Sequence, residues 1–367
     1  MIKVLEITPA LDYGGVSQFL MHYYECMDHT KFRFDFITHE GKEDFHEKLL
    51  EQGSQIYYFE REGDIGLLSY YKQYSQIGIK NYDIIHIHLG HYTGLVAMIC
   101  KIMGGKKIIC HAHTTKCMNK KHAPFMPVFR VLANVFADAL FACGQKAGEY
   151  CFGKYPFTII PNGVDLNRFK PANEEQMISL KQSLGIPLTS WIIGCVANFV
   201  PPKNYGYLIE VFSRCTKLNE DAVLLLVGDG PLRKDIENIV EQKGLTGRVF
   251  FAGVQKDIPQ FLSIFNVFAL TSIHEGFPVV AAEAQAVGVK CVYSANIDRS
   301  CDLGLGLMSF LPITEYAIDE WANECLKKYD KVPRNKIESI FKQNNFEIQS
   351  GAVFLSQCFI KVIGERL

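Results

Sequence analysis

Short apolar runs and longer helix-compatible segments take turns along the chain. Seven runs rich in β-branched and aromatic residues come first: KVLEITP, FRFDFITH, QIYYF, YDIIHIHLG, KKIICHAH, ALFACG and FTIIPNG. A second series follows with WIIGCVANF, VLLLVG, VFFAG, VFALTS and KCVYS. Near-continuous apolar strands separated by helical segments are what a parallel sheet needs when helices cover both its faces. Between the series lies PNGVDLNRFKPANEE, rich in turn formers and charge, which marks a domain boundary. The pattern therefore predicts an α/β chain of two doubly wound, Rossmann-like domains facing across a cleft, residues 1–166 and 167–345.

Composition narrows the class. A chain of 367 residues is long enough for two cores of about 150 to 200 residues each. It is 48% hydrophobic and 21% charged with a formal net charge of -1, which argues against a nucleic-acid partner. Twelve cysteines are scattered with no CxxC, and the start MIKVLEITPA reads as a buried strand rather than a signal peptide. The expected setting is the reducing cytoplasm. No apolar run reaches the roughly 18 to 20 residues of a spanning helix, so membrane contact is expected to be peripheral at most.

In open parallel sheets ligands bind beyond the carboxyl ends of the strands. Chemistry-bearing residues gather there: Gly14 and Gly15 after the first run, His113 at the end of KKIICHAH, Lys203 after WIIGCVANF, Gly228 and Gly230 after VLLLV, and Glu275 after VFALTS. In HEGFPVVAAEAQAVG, Pro278 suits the first helical position, so a helix is expected from Phe277–Pro278. Its free amides attract an anion such as phosphate. Glu275 and Glu283 would repel phosphate and instead accept from sugar hydroxyls. A nucleotide sugar satisfies all these demands. The bland alternative is a solvated glutamate pair on an ordinary helix. A two-carboxylate hydrolase needs a separation of about 5 to 9.5 Å, whereas eight helical steps span about 12 Å.

Other clusters are weaker. Gly14 and Gly15 let amides approach a phosphate, but they do not form GxGxxG, which disfavours a nicotinamide enzyme. His111 and His113 alternate onto one face of a strand, His113 being nearer its end and His111 suiting a core position. The groups Cys110, His111, His113, Cys117 and His86, His88, His91 are close in sequence. Alternation is expected to turn some of them apart, and neither a standard zinc spacing nor a D-x-D motif occurs, so no metal is expected. Residues 116–130 combine Lys116, Lys120, Lys121 and Arg130 with Phe125, Met126 and Phe129. That stretch suits either an anionic membrane surface or an ordinary exposed loop.

The stretches DYGGVSQF, HAHT, IIPNGVDLNRFKP, PPKN, LLLVGDGPLR, FFAGVQKDIP, EGFPVVAAEAQAVG and SCDLGLGLMSFLPI run along nearly the whole chain. Together they resemble the retaining glycosyltransferases of GT-B fold, in the family-four group that contains many bacterial capsule and exopolysaccharide enzymes. The resemblance implies a nucleotide-binding C-terminal domain, an acceptor-binding N-terminal domain and a last helix, 346–367, that crosses back to the first domain. It implies that Glu283 holds the ribose, Glu275 the transferred sugar, Lys203 the diphosphate, and His113 the sugar near the scissile bond. The loop residues Gly228, Gly230, Gly253 and Val254, and the backbone of Gly276, Phe277, Pro278 and Val279, would approach sugar or phosphate. Asn198 stands where relatives commonly carry arginine, which implies either weaker transition-state stabilisation or compensation by Arg233 of GPLRKD. The implied reaction moves a hexose from a nucleotide diphosphate sugar, UDP-linked by preference, to a saccharide or lipid-linked saccharide in surface polysaccharide synthesis, with retention and without a cofactor. A sugar-nucleotide epimerase and a non-catalytic sugar-nucleotide-binding subunit are the alternatives.

Overall fold

The computed structural model describes residues 1–12, 14–39, 45–61, 66–115, 120–275 and 277–364, apart from the side chains at 67 and 120–122. Two compact units result: Met1–Gly163 together with the segment beginning at Ile348, and Val164–Glu347. The sequence reading placed these breaks at 166 and 345. The second unit closes on itself at its ends, because Val164 N–H donates to the Phe346 carbonyl at 2.8 Å.

The first unit holds seven strands: β1 (Ile2–Thr8), β2 (Phe32–Thr38), β3 (Ile56–Tyr58), β4 (Ile84–Ile87), β5 (Lys107–Ala112), β6 (Ala139–Ala142) and β7 (Thr158–Ile159). They pair in parallel in the order β3-β2-β1-β4-β5-β6-β7. Sequence order reverses between β1 and β4, which opens a crevice at their carboxyl ends. The central strands are buried on both faces, as their unbroken apolar character requires. Helix Ile348–Ile363 belongs to this unit and lays Ala352, Leu355 and Phe359 into its core with Phe19 and Tyr23 of helix Gly15–Cys26.

The second unit holds β8 (Trp191–Val196), β9 (Ala222–Val227), β10 (Val249–Gly253), β11 (Val267–Leu270), β12 (Cys291–Ser294) and β13 (Met308–Leu311), again all parallel. Their order is β10-β9-β8-β11-β12-β13, with the switch point between β8 and β11. β13 is a correction to the sequence reading, which found five strands in this series. Its four residues, MSFL, are mostly half-buried on a sheet edge and lack the apolar run that marks a central strand. Helix Val279–Val287 is stopped by Gly288, whose φ of 84° is left-handed. Among the described residues no helix is long and apolar enough to cross a membrane.

Candidate active site

The two chain segments that leave the β8/β11 switch point are tied to each other. After β8, Pro201–Lys203 form one 3-10 turn, and Asn204 takes a left-handed φ of 55° that redirects the chain into helix Tyr205–Leu218. After β11, Thr271 Oγ1 donates to the Lys203 and Asn204 carbonyls at 3.2 and 3.1 Å. Ile273 N–H donates to the Pro202 carbonyl at 2.8 Å. These bonds hold Lys203 against the loop that carries Glu275. The Lys203 ammonium pairs with Glu275 Oε1, and Ser272 Oγ donates to the same oxygen at 3.0 Å. Both charged side chains are largely but not fully buried, at 20% and 16% exposure, so a polar ligand can replace either partner. Thr271 and Ser272 escaped the sequence reading; two hydroxyl residues ending an apolar strand were the available signal.

Pro278 is the N-cap of helix Val279–Val287 rather than its first residue, a correction of one position: its ψ of 106° is extended, so helical geometry begins at Val279. Phe277 stacks on Phe346 with ring centroids 5.6 Å apart, anchoring the entry to the helix. Gly276 lies outside the described residues. Glu283 follows one turn into the helix, among buried Ala281, Ala282, Ala284 and Ala286. Burial pushes its carboxyl up to about 7, with Arg168 pulling the other way. Among the described residues no hydrogen bond or ion pair reaches that carboxylate. Arg168 was missed as a contributor, although it lies inside the quoted NRFKP. Its guanidinium rests over Phe169 at 5.3 Å and donates to the Lys256 carbonyl at 3.1 Å.

Gly228 and Gly230 have φ of 129° and 158°, and a Cβ on Gly228 would sit 2.2 Å from the Ala197 carbonyl oxygen. Their first duty is backbone approach to the loop after β8: Phe199 N–H donates to the Asp229 carbonyl at 2.8 Å, and Leu232 N–H to the Phe199 carbonyl at 3.1 Å. Gly253 joins this layer by accepting from Gly228 N–H at 2.8 Å, whereas Val254 is 78% exposed. Asn198 is exposed on the same loop. The Arg233 guanidinium is 4.1 Å from the Phe251 ring centroid and 5.9 Å from that of Phe199, the residue that follows Asn198; its Nε donates to Glu237.

In the first unit, Gly14 caps helix Gly15–Cys26, but its amide is already taken by Asp12 Oδ1 at 2.7 Å, which Ser17 Oγ also reaches at 3.0 Å. That carboxylate stands where the sequence reading offered Gly14 and Gly15 to phosphate, and it opposes an anion there. His113 extends just beyond β5 and is half-buried; its Nε2 lies 2.9 Å from His88 Nδ1. His88, His86 and His111 are buried beneath it, and buried Glu6 reaches His86 and His88. The expectation that some of these groups turn apart holds for Cys110 and not for the three buried histidines. Cys110 does face the other way, toward the Thr93 carbonyl, but His86, His88 and His111 bring ring nitrogens within 4.8 Å of one another, a spacing open to a metal ion. Cys117 lies outside the described residues. Glu6, the only acidic residue inside KVLEIT, was the unused signal.

Residues 176–302 match the family described as Glycosyl transferases group 1, and residues 13–168 match Glycosyltransferase Family 4. EpsF of Bacillus subtilis (strain 168), a glycosyltransferase by name, is 33% identical over 331 residues, covering 87% of this chain and 86% of EpsF. The UDP-Gal:alpha-D-GlcNAc-diphosphoundecaprenol alpha-1,3-galactosyltransferase of Escherichia coli is 29% identical over 291 residues, covering 76% of this chain and 72% of the relative. Among solved structures, HepE of Anabaena in complex with UDP has a TM-score of 0.80 at 20% identity, covering 98% of this chain and 99% of HepE.

Proposed function

The chain belongs to the family-four glycosyltransferases of GT-B fold, and from that premise we propose that it moves a hexose from a UDP-sugar to a saccharide or lipid-linked saccharide acceptor, with retention, in surface polysaccharide synthesis. The observation that carries the donor assignment is Glu283, a half-buried carboxylate with no described protein partner on the helix that Pro278 opens. Such a group has a desolvation cost that two ribose hydroxyls offset by donating to it. Lys203, with the amides at the start of that helix, neutralises the diphosphate, so no metal is called on. When diphosphate takes Lys203, Glu275 is freed to accept from hexose hydroxyls. The second unit thus takes the donor, and the first, which carries His113, takes the acceptor. Attack on the face of the departing phosphate, with a phosphate oxygen receiving the acceptor proton, accounts for retention without a separate general base.

The relatives support this choice. HepE has also been solved with UDP-glucose, and the Escherichia coli relative is named for UDP-Gal and a diphosphoundecaprenol-linked acceptor. A cytoplasmic enzyme with such an acceptor has to reach the inner membrane face. Helix Met126–Phe136 offers an apolar stripe for it: Val128, Val131 and Val135 are 54%, 52% and 65% exposed, with Phe125 at 55% just before them. The lysine side chains at 116, 120 and 121 lie outside the described residues. Co-sedimentation with anionic vesicles should fall for Val128→Asp/Val131→Asp and for Lys120→Glu/Lys121→Glu; unchanged sedimentation in both would remove the membrane contact.

The donor reading is tested by thermal shift with UDP-, GDP- and ADP-sugars. A donor at 100 times its Kd stabilises the fold by about 2.7 kcal/mol. UDP-sugars should raise the melting temperature and Glu283→Ala should abolish most of that shift. An equal response in the variant would remove the ribose contact, and a selective response to GDP-sugars would replace the donor. Proton NMR of the product's anomeric centre decides retention.

A further inference from the structure

Lys203 and Glu275 lie beyond the carboxyl ends of β8 and β11. At the opposite, amino-terminal end of that sheet is a cavity of about 890 Å³, framed by Trp191 at the start of β8, Asn266 just before β11 and Val289 two residues before β12. All of its walls belong to the second unit. β8 has six residues, so the two ends of the sheet are about 20 Å apart. The volume falls in the upper part of the range that seats small molecules.

The interior is apolar in effect as well as in composition. Met177, Ile178, Leu188, Val287, Val332 and Ile337 supply hydrocarbon, with Ile178 and Leu188 still 37% and 49% exposed. The polar side chains of the wall turn their donors into the protein. Trp191 Nε1 donates to the Cys325 carbonyl at 3.0 Å, Tyr329 Oη to the Gly288 carbonyl at 3.2 Å and Ser263 Oγ to the Pro259 carbonyl at 2.7 Å. The Arg334 guanidinium donates to the Phe169 and Ala286 carbonyls at 3.1 and 2.7 Å, and through Nε to Glu338. Asn266 Oδ1 is taken by the Ile192 amide at 2.7 Å. A sugar or an extended peptide buried here would leave most of its polar groups unpaired, at about 1 to 3 kcal/mol each. A hydrocarbon chain meets no such penalty and gains by leaving water.

Charge comes from the mouth of the cavity. Lys181, Lys328 and Lys331 stand on the wall against one carboxylate, Glu174; Asp330 is not part of it. Lys328 and Lys331 are exposed, and among the described residues no ion pair reaches any of the three ammonium groups. Lys181 donates to the Leu188 carbonyl at 3.2 Å, and partial burial lowers its pKa with no anion opposing the shift. This local excess of positive charge stands in a chain whose formal net charge is -1. We propose that the cavity binds one single-chain anionic amphiphile, its hydrocarbon tail along the Trp191 wall and its phosphate or carboxylate head between Lys328 and Lys331. The site is separate from the transfer reaction and stands whether or not that reading holds.

Decyl phosphate, kept below its micelle concentration and titrated into the full chain by calorimetry, is the probe. One equivalent should bind, whereas inorganic phosphate and decyltrimethylammonium should give no heat of binding. Lys328→Ala/Lys331→Ala, at exposed positions that leave the core intact, should weaken binding about 3- to 10-fold. Wild-type affinity should fall as salt is added. The chain has two tryptophans, and the second, Trp321, is 0% exposed and not on the cavity wall. Decyl phosphate brominated at the chain end should therefore quench tryptophan fluorescence in the wild type and not in Trp191→Phe, while the variant still binds it in the calorimeter. Equal affinity for the phosphate and ammonium amphiphiles would overturn the proposal, because the lysines would then have no part in it. Quenching that persists in Trp191→Phe would place the tail elsewhere and overturn it too, as would displacement of the amphiphile by saturating UDP. Attachment to phosphatidylglycerol vesicles without binding of the monomeric amphiphile would replace the cavity by a membrane-surface contact.

Discussion

Both units wind their sheets in the same way, with a switch point between β1 and β4 in one and between β8 and β11 in the other. They treat their carboxylates in opposite ways, buried in the first unit and half-buried in the second. In the first unit Glu6 is met by His86 and His88, and its charge is satisfied inside the fold. In the second unit Glu283 meets no described partner, while Glu275 is held by Lys203 and Ser272 in a pair that a ligand can exchange. A satisfied buried network makes a rigid part and orients what lies above it; an unsatisfied one is a demand for a ligand. The first arrangement therefore suits positioning, and the second suits donor binding.

That contrast breaks most visibly at Lys203. Lys203→Ala should lower turnover on the order of 10²- to 10³-fold, the usual loss when one stabiliser of developing charge is removed, and initial rates within twofold of wild type would end its assignment to the diphosphate. Next comes Glu283→Gln, which should weaken UDP-sugar binding by about 10- to 100-fold, the scale of lost hydrogen bonds to a charged group. Its stability effect has the opposite sign. The folded carboxyl titrates at about 7 instead of its ordinary 4.5, so ionisation in the fold is penalised. The stability in question is fully present below about 4.5 and is lost as pH rises through 7. Ligand-free Glu283→Gln should thus melt higher than wild type at pH 8, by the equivalent of about 1 to 3 kcal/mol, with the gap closing at pH 4.5. A variant that melts lower at pH 8 would show that the carboxylate has a partner in the fold.

Gly228→Ala should cost about 1 to 3 kcal/mol in urea unfolding through a strained φ and the approach to the Ala197 carbonyl, separating the structural duty of that loop from ligand contact. The smallest change is expected from Asn198→Arg, which should keep or raise donor affinity by titration calorimetry. A clear loss would mean that Asn198 does not stand at the arginine position of the relatives.

Much of this was legible beforehand for local reasons. The twelve strands of the two quoted series are apolar runs that declare themselves without reference to the rest of the chain, whereas β13 earns its place only by pairing with β12. Lys203 and Glu275 were each readable as residues beyond strand ends, yet neither motif predicts that they neutralise each other. Asp12 capping the Gly14 amide was visible as an acidic residue before a helix, but its opposition to phosphate became clear only from the geometry.

Taken alone, the amino-acid order determined the alternation of strand and helix, the two-unit division and the set of residue types available beyond the strand ends, because burial periodicity and turn chemistry act over a few neighbours. Which of those residues touch was decided by strand order in space. Glu6 and His88 are 82 positions apart, and Lys203 and Glu275 are 72 apart. Their meetings depend on β1 lying beside β4 and β8 beside β11, and no local pattern encodes that adjacency, so the charge state of each site emerged only with the fold.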